Sequence, residues 1–303
     1  MASLLYFRLT FFYFQLVIFL FRKGIRQWKS NFDKSRNLNE HEDERKGIEM
    51  NTPIPIAVQL YTLRNETDAD FAGTLRKVAD LGFDAVEFAG FGDMTASEVK
   101  RLLDELGLKA ASSHVPLDEL KNNLTQVIED QKTIGSEFVV CPYIEDRSES
   151  DYMNLIEDLK KIGDECRQHG LTLCYHNHDF ELEPLPDGRK PLDAILEETD
   201  ENQVQAEFDI YWLQKAGDQP STWIDRYQGR TPLIHLKDMT LDEEQYFAEL
   251  GTGGVDLDTV FVLGEKAGVK YWIVEQDESR RTPLESLEIS MNYLKEKFPQ
   301  LNK

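Results

Sequence analysis

Residues 81–88 read LGFDAVEF, 106–113 LGLKAASS, 134–140 IGSEFVV, 169–175 HGLTLCY and 267–274 AGVKYWIV. All five are one junction: the end of a helical stretch, a glycine, and then a short run rich in β-branched, aromatic or small residues. Glycine stops a helix there because it alone takes positive φ at little cost. Working outward, strand-like runs fall at 56–61, 85–88, 110–114, 138–141, 171–176, 204–209, 233–236 and 271–275. Between them apolar residues recur at spacings of three and four, as at Leu75, Val78 and Ala79, or Val99, Leu102, Leu103 and Leu106. Strands alternating with amphipathic helices predict a parallel sheet. Eight such units in about 250 residues predict an α/β fold, a (β/α)8 TIM barrel over 54–303, with its active site at the C-terminal strand ends.

The chain of 303 residues has 34 Lys and Arg against 56 Asp and Glu, a net charge of −22. After residue 49 the balance is 25 against 50. Such a surface repels phosphate backbones, so nucleic acid is not an expected partner. Cys141, Cys166 and Cys174 form no CxxC pair, which fits a reducing compartment.

The N-terminal residues are a different material. Residues 4–21 are almost wholly apolar and aromatic, and a basic cluster follows at Arg22, Lys23, Arg26 and Lys29. Two readings stand: segment 1–30 is a short membrane helix that tethers a cytoplasmic catalytic domain, or it is a non-native extension upstream of Met50. Residues 31–53 read as a polar linker.

Chemistry collects at the strand ends. Of six histidines, His114, His176, His178 and His235 lie at or just past a strand end, beside Glu87, Asp209, Lys237, Asp238 and Glu275. Imidazole and carboxylate together suit Mn²⁺, the ion expected here, or Zn²⁺, Co²⁺ and Fe²⁺, better than the all-oxygen shells of Mg²⁺.

Across residues 54–298 the sequence resembles the xylose-isomerase-like TIM barrels, a family that includes sugar phosphate isomerases and epimerases, D-tagatose 3-epimerase and inosose dehydratase. VQLYTLR from Val58, AVEFAGFGD from Ala85, YHNHDFE from Tyr175, EFDIYW from Glu207, LIHLKDM from Leu233, ELGTGGVD from Glu249 and IVEQD from Ile273 carry it in barrel order. The resemblance implies one divalent ion held by Glu, Asp, His and Glu from strands five to eight. Asp209, His235 and Glu275 match the last three positions. The strand-five glutamate is absent, and His176 takes its place, with His178 the neighbouring option.

The expected activity is that of a metal-dependent isomerase or epimerase acting on a small sugar, keto-sugar or polyol through a metal-stabilised enediolate. Glu275 would take the proton, and His178, Glu181 or His176 would return it. Lys237 would stand near the reacting oxygens, or pair with Asp238. Glu87, His114, Trp212 and Asp238 are expected to meet substrate. A dehydratase or lyase on inosose or 3-keto-glycoside substrates is the alternative, with an AP endonuclease and a non-catalytic sugar-binding barrel more remote. GTGGVD has no phosphate-loop lysine and is not read as a nucleotide site; Asp256 is expected to cap a helix.

Overall fold

Strand side chains alternate between two faces, so the pattern above requires each strand to bury one face inside the sheet and the other beneath helices. A computed structural model describes residues 54–301 and has this arrangement. Eight parallel strands form a closed barrel: β1 (Ile56–Gln59), β2 (Ala85–Phe88), β3 (Lys109–His114), β4 (Phe138–Cys141), β5 (Thr172–His176), β6 (Gln205–Asp209), β7 (Leu233–Leu236) and β8 (Tyr271–Val274). Each pairs with its sequence neighbours, and β8 closes on β1 with Ala57 opposite Ile273. The junction glycines are left-handed, Gly82 at φ 93° and Gly268 at φ 83°, with Gly107, Gly135 and Gly170 in the same region.

Inside the barrel the lower layer is small and apolar: Ala57, Ala85, Ala111, Val140, Cys174, Leu233 and Ile273 pack together. Two residues further along the same strands stand Gln59, Glu87, His176, His235 and Glu275, joined by Ser112 and His114 of β3, where a register shift against β2 replaces the two-residue step. An apolar plug thus supports a polar layer at the C-terminal end, because the period of two keeps both on one face. The opposite faces, including Val58, Val86, Phe88, Leu173 and Phe208, join the core beneath the helices.

Helix starts are locally encoded. Thr95 with Glu98, Ser148 with Asp151, and Thr282 with Glu285 form reciprocal capping boxes. Asp256 caps Leu257–Ala267 by accepting from the Thr259 N–H. The first strand is shorter than the expected 56–61: the Gln59 side chain accepts the Tyr61 N–H and starts a 3-10 turn, Leu60–Leu63. A two-residue antiparallel pair, Asp238–Met239 with Phe247–Ala248, is an addition to the barrel. Cys141, Cys166 and Cys174 are buried free thiols.

The segment expected to tether the chain, residues 4–21, and the linker to residue 53 lie outside the described residues. Among the described residues no helix is long and apolar enough to cross a membrane.

Candidate active site

Strand register brings the chemical residues together. Asp209 on β6 pairs with His235 on β7, which pairs with Ile273 on β8, two residues before Glu275. His176 ends β5 beside Glu207 of β6. Asp209 also starts the helix Ile210–Lys215, its Oδ1 accepting the N–H groups of Tyr211 and Trp212 at 2.9 and 3.0 Å. That cap fixes the carboxylate so that Oδ2 stands 3.8 Å from His235 Nδ1 and 3.9 Å from His176 Nε2. Glu275 Oε2 lies 2.8 Å from His235 Nδ1.

Each of His176, Asp209, His235 and Glu275 is buried and offers one donor atom, all within 4.8 Å of one another. Asp209 Oδ2 is buried without an aligned hydrogen bond, although the Lys237 ammonium is 2.9 Å away. Two imidazole nitrogens and two carboxylate oxygens on one centre fit a first-row divalent ion, and these four would hold it.

A second tier lies deeper. His235 Nε2 contacts Glu87 Oε1 at 2.6 Å, and His176 Nδ1 contacts Glu207 Oε2 at 3.0 Å. His114 Nε2 reaches both carboxylates, Glu207 at 2.7 Å and Glu87 at 3.3 Å. Glu87 further accepts from Gln59 at 2.7 Å and from the Ser112 hydroxyl. Each histidine of the quartet therefore turns one nitrogen to the centre and the other to a buried carboxylate, the arrangement that fixes tautomer and ring orientation.

Burial raises the carboxylates of this tier and lowers its imidazoles unless opposite charges intervene. Burial pushes Asp209 up to about 6, against the pull of Lys237 and His235. Burial alone would lower His114, but Glu87 and Glu207 carry it to about 10. For Glu87 the upward push of burial is outweighed by His114 and His235, which hold it well below the usual range. Glu207 moves upward through burial and the neighbouring charge of Glu87. His178 drops to about 3 through burial and the nearby Lys237.

The remaining expected residues have mixed fates. Lys237 does not pair with Asp238. Its ammonium is buried among Asp209 at 2.9 Å, Glu275 at 2.7 Å and Asp277 at 2.7 Å. Asp238, expected against substrate, is spent on the loop that follows: its oxygens accept the N–H groups of Met239, Gly251, Gly253 and Val255 at 2.8–3.0 Å. This is the role of the GTGGVD segment, whose amides cradle an internal carboxylate. Glu87 is likewise sealed beneath the histidines rather than at the surface a substrate would touch. Glu181 is buried in the 3-10 turn Phe180–Leu182 and accepts from the Tyr175 hydroxyl and the His178 N–H, both at 2.8 Å. Trp212 is half-buried, 5.5 Å from the His178 ring between centroids.

The strand ends open into a cavity of about 520 Å³ whose lining includes His114, His176, His178, Glu275 and Asp277. His178 Nδ1 is buried without a hydrogen-bond partner. Sequence reasoning missed two residues, Glu207 and Asp277. Glu207 had a signal: it stands two before Asp209 on one strand and so shares its inward face. Asp277 lies in the loop after β8, where no period marks a direction.

The profile of a family described as xylose isomerase-like TIM barrel matches residues 75–297. An inosose dehydratase of Lacticaseibacillus casei is 26% identical over 166 residues, 48% of this chain and 55% of the relative. The chain spans about half the length of the curated relatives it matches. Among solved structures, a sugar phosphate isomerase/epimerase from Parabacteroides distasonis superposes with a TM-score of 0.70 at 23% identity, over 82% of this chain and 96% of that one. The IOLI protein with a binding zinc atom gives 0.64 at 15% identity, over 82% and 99%. With that match across most of its length and a closed eight-stranded barrel, the chain belongs to the xylose isomerase-like TIM barrel family.

Proposed function

We propose that this chain is a metal-dependent isomerase or epimerase of a small sugar, keto-sugar or polyol. The observation that carries the reading is the convergence of His176, Asp209, His235 and Glu275 at one end of an open cavity. A divalent ion held there would polarise a substrate carbonyl and lower the cost of removing the neighbouring C–H proton. Glu275 faces the cavity and is the residue to take that proton. Lys237, 2.7 Å from Glu275 Oε2, keeps that carboxylate ionised. Burial would raise Glu275, but Lys237 and His235 hold it below the usual range.

His178 is the residue to exchange a proton on the other side, because its unpartnered Nδ1 has no competing hydrogen bond. Glu181 orients it by accepting the His178 backbone N–H. His176 in place of a strand-five carboxylate favours a second reading, elimination. There Glu275 would take the carbon-bound proton and return it to the departing hydroxyl or glycosidic oxygen, which neutral His178 would orient by a hydrogen bond, and the relatives named inosose dehydratase support it.

The test is turnover of keto-sugars in deuterium oxide. Isomerisation or epimerisation with solvent deuterium on carbon supports the first reading. An unsaturated, ultraviolet-absorbing product supports the second. A saturated product formed with no solvent deuterium on carbon rejects both.

A further inference from the structure

Resting on the reading of this site as a sugar-carbonyl centre, we propose that its substrate is an unphosphorylated sugar carrying an apolar substituent, as in an alkyl or aryl glycoside. The four candidate ligands come from β5 to β8, but the cavity continues across the mouth to the β2, β3 and β4 side. There it is walled by Phe91, Val115, Pro116, Val127, Pro142 and Tyr143. At about 520 Å³ it lies within the roughly 300–1,000 Å³ typical of sites for drug-sized ligands. A single sugar ring held at the His176 and Glu275 end leaves the opposite, largely apolar end to a second group.

Charge excludes phosphate from that end. Among the described residues the acidic side chains lining the cavity are Glu119, Asp130, Glu275 and Asp277, and no lysine or arginine lines it. The neighbouring cations are engaged elsewhere. Lys237 is enclosed by three carboxylates. Arg64 binds the carbonyls of Tyr61 and Asp277, and Arg147 stacks on the Phe180 ring at 3.4 Å. His114 turns Nε2 onto Glu207 and Glu87. A phosphate group is recognised by arginine or lysine donors, and here it would meet carboxylates instead. The apolar walls gain free energy only by covering hydrocarbon, so the second group is an alkyl or aryl one.

Calorimetry on the metal-loaded chain tests this with glucose, galactose, xylose and their 3-keto derivatives, each offered free, as the phenyl β-glycoside and as the terminal phosphate. The phenyl glycosides should bind at least about tenfold more tightly than the free sugars, and the phosphates more weakly than either. Phe91→Ala and Tyr143→Ala, both at partly exposed positions, should remove about fivefold or more of the phenyl advantage and change free-sugar affinity less than about twofold. Equal binding of free and phenyl forms, equal losses for both in the variants, or a phosphate that outbinds its parent would overturn the proposal. Deuterium exchange at carbon with free keto-sugars but no phenyl advantage overturns this inference alone. Absence of both binding and exchange across the whole panel overturns it together with the reading it rests on.

Discussion

His235 Nε2 stands 2.6 Å from Glu87 Oε1 at the centre of the barrel, and neither side chain is exposed. The opposite nitrogen of the same ring faces Glu275 and Asp209. One imidazole thus joins two tiers of carboxylates, and Glu87 decides which nitrogen is free to ligate. Glu207 does the same for His176. Glu87→Gln and Glu207→Gln should each weaken metal binding by about 10–100-fold while the fold persists, since an amide orients the ring less firmly than a carboxylate. Competition of the apo-protein with a chromogenic chelator measures this, and unchanged affinity would remove the orienting role.

The quartet itself is open to substitution. His235→Ala and Glu275→Ala should lose most bound metal and activity. Asp209→Asn is preferable to alanine, because an amide oxygen can still cap Ile210–Lys215 while the donor facing His176 is changed. His176→Glu should retain metal, as carboxylate oxygen serves these ions as well as imidazole nitrogen. If His178→Ala loses metal and His176→Ala keeps it, the β5 ligand has been assigned to the wrong histidine. Metal content by elemental analysis and circular dichroism for folding decide between these outcomes.

Lys237 is the buried cation of the cluster. Lys237→Met leaves Asp209, Glu275 and Asp277 without their common counter-charge, a loss on the order of 3–5 kcal/mol for a broken buried ion pair. Added Mn²⁺ should raise the melting temperature of this variant more than that of the parent, since the ion then answers a larger uncompensated charge. Equal shifts in a thermal melt would count against that electrostatic account.

Gly253 belongs to the loop around Asp238. A Cβ there would lie 2.3 Å from the Met239 carbonyl oxygen and 2.4 Å from Asp238 Oδ1. Gly253→Ala should therefore cost about 1–3 kcal/mol, the usual range for overpacking. Urea unfolding provides the measurement, and a neutral result would show that the loop yields.

Glu181 adds a pH dependence. Burial, opposed by the His178 and Tyr175 hydrogen bonds, raises it from an ordinary 4.5 to about 7. A carboxyl whose pKa is raised on folding binds its proton more tightly in the native state, so its contribution to stability is present below about 4.5 and is lost as pH rises toward 7. Wild-type stability should fall across that window by about 3 kcal/mol more than that of Glu181→Gln. Parallel profiles for the two proteins would refute the assignment.

Local pattern determined the eight strands, the glycine junctions and the placement of His176, Asp209, His235 and Glu275 at strand ends. All of these follow from short-range physics: the period of two in a strand, the cost of positive φ, and helix periodicity. Other features depend on which distant segment packs against a given side chain. Lys237 and Asp238 are adjacent in sequence, yet one turns to Asp277 forty residues on and the other to amides 13–17 residues on. Glu181 follows the polar run His176–Asp179 in sequence, but folding places its carboxylate against Tyr175 and away from water. Glu87 was legible as a strand-end residue, whereas its partner His235 lies 148 residues away. Closure of the barrel alone brings these charges together, because β8 must meet β1 before strands two and seven can share one interior.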